Sequence, residues 1–190
     1  MTVATFAVKA PIYMTKLIED FGFSVMDAAA IMVNLGHESG GLTNLQEDKP
    51  TVPGSRGGWG WAQWTGSRRR TFEEYASRNG LDPAGDKANY AMLFNELKGT
   101  EKKAVDSTKN AGSLSEKVKA FENSYERAGI KNYSSRDKWA VRALNAYNDA
   151  VTTPVPEPMP ITLAAVSRDD MIEELLKRPN VKSVLVEYGK

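Results

Sequence analysis

Glu38 stands at the end of an apolar segment and directly before Ser39-Gly40-Gly41. Glycines end helices, so this spacing places a carboxylate at the C-terminus of a helix, where the macrodipole is negative. Burial and dipole both raise a carboxyl pKa, and an acid kept protonated near neutral pH is what general-acid catalysis needs. The competing reading is a surface glutamate at a fraying helix end. Glu47 and Asp48 follow nine and ten residues later, in a segment able to fold back as a hairpin. A second carboxylate facing the first is the arrangement used to cleave glycosidic bonds. Next come Trp59, Trp61, Gln63, Trp64 and Thr65. Indole faces stack on sugar rings, and amides and hydroxyls bond sugar hydroxyls. Two of the three tryptophans suit core packing. Trp64, between Gln63 and Thr65, suits a cleft wall.

These residues need a scaffold, and the pattern around them is mostly helical. Ser24 caps a helix with Asp27 in its first turn. Val25, Ala28, Ala29 and Met32 follow one face while Ile31 and Leu35 fill another. A helix apolar nearly all round is buried, so 25–37 is the expected central helix. Further helices are expected at about 10–21, 67–79, 86–98, 113–127 and 135–150. Pro11 falls in the first turn of the earliest one. Residues 42–58 read as loop or hairpin, and 59–65 as a short strand. The expectation is a mainly α fold with a small β region, of the α+β class.

Composition narrows the chemistry. The chain of 190 residues carries 25 Lys+Arg against 24 Asp+Glu, a net charge of +1. That argues against nucleic-acid binding through bulk charge. Cysteine is absent and His37 is the one histidine. No thiolate metal site, disulfide framework or cysteine nucleophile is available, and no metal or other cofactor is expected. No segment approaches a membrane span of roughly 20 apolar residues, and no signal peptide is evident. Synthesis in a cytoplasm, with action elsewhere after release, is the expectation. His37 itself reads as a packed or solvent-facing helix residue, with catalytic base as the alternative. Arg68, Arg69 and Arg70 form either a solvated face or a contact to carboxylates, which guanidinium groups bind bidentately.

Residues 152–160 carry prolines at 154, 156, 158 and 160, a stiff extended linker. It separates a body at 1–151 from a tail at 161–190 too short for an independent core. The tail is expected to hold a short helix from Ser167 to Arg178 and to dock on the body.

His37-Glu38-Ser39-Gly40-Gly41, Asn44, Glu47, the run Gly58-Trp59-Gly60-Trp61-Ala62-Gln63-Trp64-Thr65 and Arg68-Arg69 together resemble the phage tail lysozyme family. Phe121-Glu122-Asn123-Ser124-Tyr125-Glu126-Arg127-Ala128-Gly129, with Arg136 and Ala140, resembles its C-terminal half. The resemblance spans roughly residues 10–150. It implies a lysozyme-like fold whose central buried helix ends at the catalytic glutamate. It further implies a muramidase that cleaves the β-1,4 bond between N-acetylmuramic acid and N-acetylglucosamine in bacterial peptidoglycan. The family's acid falls on Glu38. Phage lysozymes outside the family carry a second acid nine positions on, which Glu47 matches, and a threonine six further, where this chain has Pro53. Thr51 and Thr65 are substitutes for that threonine. Gln63, Trp64, Thr65 and Tyr125 are the expected glycan contacts. For Tyr125, Glu126 and Arg127, a structural Glu–Arg pair is the other reading. A monomeric free endolysin is expected. A lytic transglycosylase, which uses one carboxyl and the sugar's own hydroxyl, and a non-catalytic wall-binding or tail module are the alternatives.

Overall fold

The fold is given by a computed structural model, which describes residues 2–50, 52–127 and 133–152. In chain order the α-helices are α1 Thr2–Phe21, α2 Val25–Glu38, α3 Gly66–Arg78, α4 Asp86–Lys98, α5 Lys102–Asn110, α6 Leu114–Phe121 and α7 Tyr133–Thr152, with a π-helical turn at Glu122–Glu126 after α6. The expected linker, apart from Thr152, and the whole expected tail at 161–190 lie outside the described residues.

Helix α2 is the axle. Ser24 closes a reciprocal capping box: its hydroxyl accepts the Asp27 N–H, and the Asp27 carboxylate accepts the Ser24 N–H at 2.8 Å. Every residue from Asp27 to Gly36 is buried, because α1, α5, α6 and α7 all pack on it. Asp27 is also paired at 2.7 Å with the equally buried Lys117 of α6. Burial raises the Asp27 pKa, but the bonds from Lys117 and Ser24 outweigh it and hold the carboxyl below its usual value.

The expected small β region, and with it the α+β class, is corrected: among the described residues no strand forms. The segment 59–65 makes two isolated antiparallel bridges, Gln46 to Trp59 and Trp59 to Trp64. Trp59 and Trp64 exchange both backbone bonds, at 3.0 and 2.8 Å. Gly60 (φ 81°) and Gln63 (φ 45°) turn the chain between them, and Thr65 is already the N-cap of α3. No residues remain on that side to extend a ladder.

Three helix expectations also change. Helix α1 begins at Thr2 and runs through Pro11. Phe6, Ala10, Met14 and Leu17 form one fully buried stripe, and its burial outweighs an interior proline's cost of about 3 kcal/mol. Helix α5 was not expected; its nine residues are mostly polar, and Ala104, Val105 and Thr108 are its buried face. The expected helix at 113–127 is α6 followed by the π-helical turn, which ends at Arg127 in a left-handed conformation (φ 54°).

Candidate active site

The C-terminus of α2 is closed by Ser39, whose N–H and hydroxyl both donate to Leu35 O, at 3.1 and 2.7 Å. The chain then turns away through Gly40 (φ 55°) and Gly41 (φ 79°). This leaves Glu38 as the last helical residue, with its side chain 23 % exposed. Its Oε1 accepts a bond from Arg136 Nη2 at 3.0 Å, and Arg136, in the first turn of α7, is 1 % exposed. Asn34 lies one helical turn before Glu38 on the same face. Its Oδ1 accepts Arg136 Nε at 2.8 Å, while its amide donates to Ala30 O and Val118 O. The guanidinium is thus held between two α2 side chains four residues apart.

The π-helical turn adds two more acids. Glu122 is fully buried, and Glu126 buries its Oε1. Neither Glu122 oxygen, nor Glu126 Oε1, nor Arg136 Nη1 finds a hydrogen-bond partner among the described residues. The Tyr133 hydroxyl interacts with Glu122, which raises its pKa, but falls short of hydrogen-bond geometry. Burial raises the Glu38 pKa; Arg136 opposes this and Glu122 adds to it. Burial, then the neighbouring Glu38, hold Glu126 well above the ordinary carboxylate range. Burial also lowers the His37 pKa, with Arg136 acting in the same direction. The His37 Nδ1 meets Ser135 Oγ at 2.9 Å.

The other sequence-predicted residues are placed differently. Glu47 faces the loop backbone: its Oε2 accepts Gly58 N–H at 2.8 Å and its own N–H donates to Gly58 O at 3.0 Å. Gln63 donates its amide to Asn44 O, Leu45 O and Gly60 O, tying the same loop. Thr65 is exposed at the start of α3 and makes no side-chain cap bond. Trp64, expected on a cleft wall, is 1 % exposed, and Tyr125 is fully buried. Both donate to Glu96 Oε2, at 2.8 and 2.5 Å, and Arg68 grips the same carboxylate through Nε and Nη2 at 2.7 and 2.8 Å. The Arg68 guanidinium lies 4.7 Å from the Tyr125 ring centre. This buried cluster anchors the turn that carries Glu126, so Trp64 and Tyr125 act beneath the site rather than at its surface. Of the three tryptophans in the segment, Trp59 is the half-buried one.

Read locally, the sequence gives Arg136, Asn34 and Glu122 no chemical role. Asn34 carried a signal: a polar residue within an apolar helix, four positions before Glu38. The chain matches none of the curated proteins and none of the solved structures compared with it. The model of the phage tail lysozyme family matches residues 9–147, most of the chain. An acid at the end of a buried central helix, set in a family match of that extent, assigns the chain to the phage tail lysozyme family.

Proposed function

We propose that the chain is a muramidase acting on bacterial peptidoglycan, with Glu38 as the general acid. The observation that carries this is the Glu38 carboxyl itself: partly open to solvent at the end of a buried helix, with a pKa raised by burial. A protonated carboxyl there gives its proton to the glycosidic oxygen between N-acetylmuramic acid and N-acetylglucosamine as the C–O bond breaks. Glu38→Gln tests this on purified peptidoglycan. Wall clearing at the wild-type rate by the folded variant overturns it.

A lytic transglycosylase is the second reading, and one observation favours it. Glu47, the expected second carboxylate, spends an oxygen on Gly58 N–H. A reaction needing one carboxyl would have Glu38 protonate the leaving oxygen and then take the proton of the muramic acid C6 hydroxyl as that oxygen closes on C1. Mass spectrometry of the digest separates the two: a reducing-end muramic acid marks water as acceptor, and 1,6-anhydro-muramic acid marks the internal hydroxyl.

A further inference from the structure

Arg136 poses an electrostatic problem for any acid role of Glu38. Its guanidinium is 1 % exposed, so water does not screen it, and it touches Glu38 Oε1 at 3.0 Å. A cation at that distance favours the carboxylate, the form that has no proton to give. A protonated Glu38 therefore requires another anion to offset Arg136. Helix α2 itself provides the neutral Asn34, on Nε. Arg136 Nη1 stays unpaired, and so do both oxygens of the fully buried Glu122. Asn34 ties Arg136 to Val118 O of α6, one helical turn before Glu122, and buried charges so placed are costly unless they balance each other through space.

We propose that Glu122 is a positioning residue for the general acid: from the π-helical turn it neutralises Arg136 and so leaves Glu38 free to hold its proton. The inference rests on the reading of Glu38 as that acid. The π geometry suits such a device, since a π turn inserts a residue's worth of backbone and is frequent at functional sites. Here its closing bond runs from Arg127 N–H to Glu122 O at 2.7 Å. Arg127 is left-handed and paired with Glu101, the N-cap residue of α5. The electrostatics agree in direction, for Glu122 raises the pKa values of Glu38, His37 and Tyr133 together. The other charged or titratable groups around the centre are His37 on α2, Glu126 on the same turn, Tyr133 on α7 and Lys119 on α6, whose Nζ stands 5.2 Å from the Tyr133 ring. Arg68 on α3 and Glu96 on α4 act on Glu126 in opposite directions, Arg68 lowering and Glu96 raising its pKa.

The experiment is a titration of the Glu38 carboxyl carbon by NMR in wild type and in Glu122→Gln, beside pH–rate profiles on purified peptidoglycan. In wild type, Glu38 titrates above the ordinary glutamate range. In Glu122→Gln its titration moves toward acid, and the limb on which activity falls with rising pH moves with it. Glu122→Asp, which keeps the charge, restores both toward wild type. An unmoved Glu38 titration in folded Glu122→Gln overturns the inference. If that variant does not fold, the Glu122 carboxyl carbon is titrated in wild type: a Glu122 that stays ionised through the Glu38 titration supports the inference, and one protonated there overturns it. The NMR titration stands apart from activity. Should Glu38→Gln keep wild-type activity, the acid reading falls whatever Glu122 does to the titration.

Discussion

Three buried or half-buried acids and one buried arginine meet at the end of α2: Glu122 is fully buried, Glu126 buries its Oε1, and Glu38, the one that bonds the guanidinium, keeps its side chain 23 % exposed. That inequality makes the residue-scale prediction. Glu38→Gln is expected to lower wall-lytic activity by about 10²–10⁴-fold, the usual contribution of a general acid. Gln keeps an acceptor for Arg136 Nη2, so the loss should appear without unfolding, checked by circular dichroism beside the turbidity assay. The pH dependence follows from the direction of the shift. Burial raises the Glu38 pKa, and the protonated form is the active one. Activity is therefore present below the raised pKa and lost as pH rises through it. A wild-type profile whose high-pH limb lies within the ordinary glutamate range near 4.3 would contradict this.

At the scale of elements, two contacts hold the parts of the site in register. Helix α1 crosses α2 at Gly36, where a Cβ would stand 2.7 Å from the Phe6 ring. Phe6 is fully buried and cannot withdraw without moving α1. Gly36→Ala is expected to cost about 1–3 kcal/mol, the range for overpacking a core, measured by chemical denaturation. A neutral or stabilised variant would show that the helices separate easily. The second contact is Glu96, which accepts from Arg68, Trp64 and Tyr125 at once and so joins α3, α4, the tryptophan loop and the π-helical turn. Glu96→Gln leaves Arg68 without its counter-charge. Arg68 keeps 26 % side-chain exposure against 8 % for Glu96, so the cost is expected at about 1–3 kcal/mol, below that of a fully buried pair, and a loss well under 1 kcal/mol would mean the pair is screened. The turn that bears Glu126 should loosen with it, seen as faster amide exchange at residues 122–127.

For the molecule as a whole, stability should form a dome in pH. Burial pushes Asp27 and Glu96 up, but their bonds, to Lys117 and Ser24 and to Arg68, Tyr125 and Trp64, leave both below the ordinary value. A depressed folded pKa contributes stability that is full above the unfolded value, near 4, and is lost as pH falls through the folded one. Glu38 and Glu126 run the other way: their raised values favour folding at low pH, and that contribution is lost as pH rises through them. The thermal midpoint should therefore fall on the acid side through Asp27 and Glu96. In Glu96→Gln the acid limb should be shallower. A midpoint flat between pH 5 and pH 2 would remove these carboxylates from the account.

Elements with a local cause are legible in the sequence alone. The Ser24 cap, the all-round apolar run and the Gly40-Gly41 stop predict α2 and put Glu38 at its end, because capping, burial and helix termination are written within one turn of the residues concerned. The long-range placements were not legible in that way. Whether Trp64 faces a cleft or a core depends on Glu96 and Tyr125, 32 and 61 positions away. Arg136 comes to Glu38 from 98 positions along the chain. The residues at 59–65 have strand composition, yet a ladder needs a partner of matching length, and α3 begins before one can pair. Helix α1 includes Pro11 because the stripe from Phe6 to Leu17 finds α2 and α7 to pack against, an energy that appears only when those helices are brought together.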